Sequence, residues 1–135
     1  MVSNLEHLNV MVLEDSLSAM LDLTHKLSKR LNEEGIHRAS NYDEAYAIVN
    51  SINIDIALVD LSMPARNGMD FLIQLKDDPD TRDIPVIITT AVNPNSMLVN
   101  ATKDLANGLL FKPVDEKALF RLMKTAIQPS QNQPL

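Results

Sequence analysis

The sequence predicts an α/β protein built as a doubly wound parallel sheet of five strands, and three observations lead there. Four short runs, "LNVMVL" (8–13), "IDIALV" (54–59), "IPVIIT" (84–89) and "GLLF" (108–111), are almost wholly apolar, as strands covered on both faces are. Segments with helical spacing lie between and after them, so strand and helix alternate along the chain. At 135 residues and 45% apolar composition, the chain suits one compact domain with an ordinary core.

The elements follow in order. The first strand is 8–13. A helix is predicted over 16–34, with Leu17, Met20, Leu21, Leu27 and Leu31 on a common face and Asp15 or Ser16 as cap. The more polar "IHRAS" (36–40) suits an exposed edge strand. Helix 42–52 aligns Ala45, Ile48, Val49 and Ile52, and Asn41 with Glu44 has capping-box spacing. Strand 54–59 is followed by a loop and a helix over 68–77 carrying Phe71, Leu72 and Leu75. Strand 84–89 precedes a helix over 94–106, with Asn93 as cap, Pro94 in the first turn, and Met97, Leu98, Ala101 and Leu105 inward. Strand 108–111 leads to the last helix, 115–127, which presents Leu119, Leu122, Met123, Ala126 and Ile127 and leaves Phe120 off that stripe, on the exposed side. The tail after Ile127, "QPSQNQPL", is polar and proline-broken and reads as a frayed end or linker stub, giving a domain over 6–128 and a tail over 129–135.

Composition narrows the function. The net charge is −6, and the longest basic run, "HKLSKR" (25–30), is diluted by Leu27 and Ser28 as on a solvated helix face. Direct nucleic-acid binding needs a concentrated basic surface, so it is not expected. No apolar stretch is long enough to span a bilayer and the N-terminus lacks a signal peptide's pattern, so membrane insertion is not expected. Without cysteine there are no disulfides, thiolate metal sites or thiol catalysis, and a cytoplasmic location is the natural reading. His7, His25 and His37 have no metal-ligand spacing and read as surface or edge residues, and the seven Met residues read as core filler.

In an open parallel sheet, functional groups collect where the strands end. Those ends carry Glu14-Asp15, Asp60, Thr89-Thr90 and Lys112-Pro113. Three carboxylates close together repel one another and call for a cation. An all-oxygen ligand set suits Mg²⁺. Lys112 is then expected to pair with Asp60, leaving Asp60 ionised, aimed and usable as a nucleophile toward phosphorus. Lys112, the Thr90 hydroxyl and loop N–H groups would neutralise phosphoryl oxygens, while Pro64 and Gly68 shape the loop.

These residues, taken with "DLSMPARNG" (60–68), "TA" (90–91) and "KP" (112–113), resemble the receiver domain of two-component response regulators over about residues 6–128. The resemblance implies a (βα)5, flavodoxin-like sheet with strand order 2-1-3-4-5. It implies that Asp60 accepts a phosphoryl group from a phosphohistidine on a sensor histidine kinase or histidine phosphotransfer protein. Glu14 (through a water), Asp15, Asp60 and the Ser62 carbonyl would hold Mg²⁺, and Thr90 and Lys112 would contact the phosphoryl group. A cis Lys112–Pro113 bond is implied too, as is a switching face made by the fourth helix, fifth strand and last helix that docks an unknown downstream protein. In this picture the chain is a binding module and not an enzyme.

Two positions depart from the family pattern. Leu109 stands where an aromatic residue is usual on the fifth strand, and is expected simply to pack. Val92 offers nothing to orient an attacking water, which implies slow self-hydrolysis. The alternatives are an Asp-nucleophile phosphatase, weakened because Ser62 stands where a general acid is wanted; a flavodoxin-like nucleotide or flavin binder, weakened by acids where a phosphate loop belongs; and a constitutive docking domain.

Overall fold

A computed structural model describes residues 5–61, 68–91, 100 and 104–131. The strands are β1 (Val10–Leu13), β2 (Ile36–Ala39), β3 (Ile56–Asp60), β4 (Val86–Thr90) and β5 (Gly108–Phe111). They pair in parallel in the order β2-β1-β3-β4-β5, so the expected fold and topology are correct. The described helices are α1 (Leu17–Leu27), α2 (Tyr42–Ser51), α3 (Gly68–Asp77) and α4 (Glu116–Gln131). The helix expected over 94–106 falls almost wholly outside the described residues, as do Ser62, Pro64, Asn67 and Val92.

Strand alternation sends successive side chains to opposite faces, and both faces are buried. Val10, Val12, Ile56, Leu58 and Ile87 pack with α1 and α4. Met11, Leu13, Ala57, Val59 and Ile88 pack with α2 and α3, where Phe71 meets the rings of Tyr42 and Tyr46. Leu109 is half-buried against this second cluster, as its packing role required. A short 3₁₀ turn (Glu33–Gly35) leads into β2.

Helix starts are specified by their caps. Ser16 Oγ accepts the Ala19 N–H at 3.3 Å, Asn41 Oδ1 accepts the Glu44 N–H at 2.8 Å, and Asp115 Oδ2 accepts the Ala118 N–H at 2.9 Å. Glu44 returns its carboxylate to Ser40, taking both the N–H at 2.7 Å and the hydroxyl at 2.9 Å.

Four expectations are corrected. Helix α1 ends at Leu27, not residue 34, and its buried residues are Met20, Leu23, Thr24 and Leu27. Leu17 and Leu21 point outward, at 74% and 59% exposure. Thr24 belongs inside because its hydroxyl donates to the Met20 carbonyl at 2.8 Å, which satisfies it within the helix. Phe120 is buried, not exposed, at 4%, with the Arg30 guanidinium 4.9 Å above its ring. Helix α4 continues to Gln131, through Pro129, although the sequence pattern stopped it at Ile127.

Candidate functional site

Strand ladders carry the chemical groups to the carboxyl edge of the sheet. Asp60 is the last residue of β3, in register with Thr89, and Thr90 ends β4 opposite Phe111. The ladder runs on past the strand ends: the Glu14 N–H donates to the Ala39 carbonyl at 3.0 Å, and the Lys112 N–H to the Thr90 carbonyl at 2.8 Å. Backbone pairing therefore sets where both side chains begin.

Glu14 and Asp60 are each 2% exposed, while Asp15 is open to solvent. One carboxylate oxygen from each of Glu14, Asp15 and Asp60 lies within 4.8 Å of the other two. Lys112 Nζ donates to Glu14 Oε1 at 2.5 Å and lies 3.3 Å from Asp60 Oδ2. The expected Lys112–Asp60 pair is present but is the longer of two contacts, and the ammonium sits closest to Glu14. A single cation thus bridges two buried acids. The other oxygen of Glu14 accepts the Ser16 N–H at 3.1 Å, tying the site to the start of α1. The Lys112–Pro113 bond is cis, as the resemblance implied.

Burial pushes the Glu14 carboxyl above its ordinary range, and the Asp60 charge adds to the push; the Lys112 and Ser16 hydrogen bonds oppose it without prevailing. Burial alone pulls Lys112 down, but its bond to Glu14 and the charges of Asp60 and Glu14 outweigh that, and the net shift is upward. Lys112 is firmly cationic here. One ammonium against three acids leaves a net negative cluster, and an all-carboxylate set of this spacing fits a hard divalent cation such as Mg²⁺.

Beside the cluster lies a cleft of about 410 Å³ between α1 and the β5–α4 connection, lined by Glu14, Ser18, Asp22, Thr89, Lys112 and Pro113 among others. The sequence places Thr89 with Thr90 at the end of the fourth strand but gives the chemical role to Thr90 alone. The signal for Thr89 is strand alternation and register: it stands beside Asp60, and it shares a sheet face with Ile87, whereas Thr90 has the opposite parity. Thr90 is fully buried. Ser62, the remaining expected ligand, lies outside the described residues.

Fold and site together define a doubly wound α/β protein with an acidic, cation-competent crevice at the carboxyl edge of its sheet. A family model described as the response regulator receiver domain matches residues 10–124. The chain belongs to that family, and is a receiver domain of two-component signalling. It is 30% identical to protein PilH of Pseudomonas aeruginosa over 118 residues, 87% of this chain and 96% of PilH. Response regulator PleD of Caulobacter vibrioides is 37% identical over 71 residues, which make up 53% of this chain but only 16% of PleD. Among solved structures, a response regulator receiver domain protein from Clostridium thermocellum superimposes with a TM-score of 0.79 at 25% identity, covering 92% of this chain and 97% of that one. Chemotaxis protein CheY4 of Vibrio cholerae gives 0.76 at 21% identity, covering 88% and 98%, a likeness of fold.

Proposed function

We propose that this chain is a phosphorylation-switched signalling module in which Asp60 accepts a phosphoryl group from a phosphohistidine of a sensor histidine kinase or histidine phosphotransfer protein. The observation that carries this reading is the bridging of buried Glu14 and Asp60 by Lys112, inside a three-carboxylate cluster. A lone buried acid pair would be costly without a purpose.

Asp60 contributes the nucleophile. Its carboxylate oxygen forms a bond to phosphorus as the P–N bond of a protonated phosphoimidazole breaks, releasing neutral imidazole and leaving an acyl phosphate. Lys112 lies beside the Asp60 carboxylate and then meets a phosphoryl oxygen, and the Thr90 hydroxyl meets another. Glu14, Asp15, Asp60 and the Ser62 carbonyl would hold Mg²⁺. When bound, Mg²⁺ supplies neutralising charge for the carboxylates and the transferred group. The cleft beside α1 gives the donor its approach, with Leu17 and Leu21 exposed on that helix.

Phosphorylation then biases a two-state equilibrium of the face made by 94–106, β5 and α4, changing its affinity for a downstream protein. Leu109, standing where the family usually has an aromatic residue, packs against the second apolar cluster. Phe111, 37% exposed at the end of edge strand β5, is the aromatic group that face offers.

The test is intact mass after incubation with acetyl phosphate, with and without Mg²⁺, beside Asp60→Ala. One added phosphoryl group that needs Mg²⁺ and is absent from the variant is expected. Absence of an adduct, together with no binding of fluoroberyllate, would overturn the proposal.

A further inference from the structure

Away from the acid cluster, a second cavity of about 420 Å³ opens where the turn after α1 meets the first half of α4. Its lining is Arg30, Glu116, Lys117, Phe120, Arg121 and Lys124. The protein carries 12 Lys and Arg against 18 Asp and Glu, yet four of those cations border this one groove with a single acid. That acid is already engaged: Glu116 Oε1 lies 2.8 Å from Lys29 Nζ. Among the described residues, Arg30, Lys117, Arg121 and Lys124 have no carboxylate within ion-pair distance, whereas Lys26, Lys29, Arg38 and Lys112 each do. Arg30 is held in place by Phe120, whose ring it covers at 4.9 Å, so its guanidinium edge is positioned without its charge being neutralised.

We propose that this cationic groove docks an acidic polypeptide segment of a partner protein, whose carboxylates pair with Arg30, Lys117, Arg121 and Lys124. Three features favour that occupant. Lys117, Arg121 and Lys124 stand at i, i+4 and i+7 on α4, a row roughly 10 Å long at helical rise, which suits charges spaced along a chain better than one compact anion. The Phe120 ring is buried beneath Arg30 and offers no open face on which a nucleobase could stack. The whole molecule's charge of −6 opposes a long polyanion at a distance, while a short acidic segment meets the groove within a Debye length. The groove shares no lining residue with the cleft beside Asp60, and the proposal does not depend on the chemistry proposed there.

The experiment is a fluorescence-anisotropy titration of fluorescein-labelled octaglutamate with the full chain, at low salt and at about 0.5 M salt. The same titration is run with labelled octathymidylate, and with the variant Lys117→Glu/Arg121→Glu/Lys124→Glu. Saturable peptide binding is expected, weakened about tenfold or more by the triple reversal and by salt, and unchanged by Arg82→Glu outside the groove. Circular dichroism checks the fold, and Arg121→Gln/Lys124→Gln, which should weaken binding in the same direction, replaces the reversal if that variant does not fold. Absence of peptide binding, or equal binding by the groove variants, overturns the proposal. Tighter binding of octathymidylate than of the peptide overturns it in favour of a phosphate-polymer site. Self-association in sedimentation that the groove variants abolish overturns it in favour of a second copy of the chain.

Discussion

Lys112 determines the character of the acid cluster, because a single ammonium serves two buried carboxylates, Glu14 and Asp60. Without a divalent cation the cluster is electrostatically overcharged, and sites of this kind trade stability for function. Asp60→Asn should therefore raise stability by on the order of 1 kcal/mol in Mg²⁺-free urea denaturation while abolishing phosphoryl uptake. A variant less stable than the parent would contradict the account. Glu14 makes a pH dependence of definite sign. Its folded pKa is raised, chiefly by burial, so the folded state holds the proton more tightly than the unfolded chain. Its contribution is fully present below the ordinary glutamate pKa and is lost as pH rises through the folded value. In the absence of Mg²⁺, Glu14→Gln should flatten that decline in a series of denaturation curves.

At the scale of elements, α1 shows how a leucine-rich pattern misleads. Five apolar residues at near-helical spacing suggested a face through Leu17 and Leu21, but the buried face runs through Met20, Leu23, Thr24 and Leu27. The two are separable by mutation. Leu23→Ala should cost about 2–4 kcal/mol, whereas Leu21→Lys should stay within about 0.5 kcal/mol, both read from urea midpoints. If the proposed donor approach is correct, Leu21→Lys should slow transfer from a phosphohistidine donor and leave acetyl phosphate labelling intact. Helix α2 carries a pH effect opposite in sign to that of Glu14. The Ser40 N–H and hydroxyl hold the exposed Glu44 carboxyl below its ordinary range, so its stabilisation is present above that range and is lost as pH falls through the folded value. Glu44→Gln should remove this acid-side loss, and Asn41→Ala should cost about 1 kcal/mol at any pH through its missing cap.

For the whole molecule, strand order β2-β1-β3-β4-β5 places the acid cluster at the carboxyl ends of β1 and β3, the strands flanking the point where the winding reverses. Two apolar clusters, one on each sheet face, hold those strand ends still, so cation binding should be felt as global stability. Mg²⁺ at ten times its dissociation constant should stabilise the fold by about 1.4 kcal/mol, visible as a rise in melting temperature that Asp60→Asn removes. The connection into β2 leaves no spare room: a Cβ on Gly35 would overlap the Leu8 carbonyl oxygen, a backbone atom that cannot swing aside. The backbone at Leu8 or Gly35 would have to shift to accept Gly35→Ala.

By itself the sequence determined the fold class, the five strands, the helix caps at Ser16 and Asn41, and the positions of Glu14, Asp15, Asp60 and Lys112. Those are local properties: apolar runs of strand length, hydroxyl and amide caps, and charged residues at strand ends are all visible within a few residues. The resemblance then supplied strand order, the cis Lys112–Pro113 bond and the family, which the comparison with receiver domains bears out. What only the tertiary structure decided was partner choice across long chain separations. Lys112 reaches Glu14, 98 residues away, more closely than Asp60, because register and the Ser16 contact set the distance. Phe120 is buried with Arg30, from the turn that follows α1, over its ring; Thr24 takes an inward place with its hydroxyl satisfied within α1, while Leu17 and Leu21 face outward. Periodicity counts apolar residues along one element; burial depends on what the neighbouring element brings.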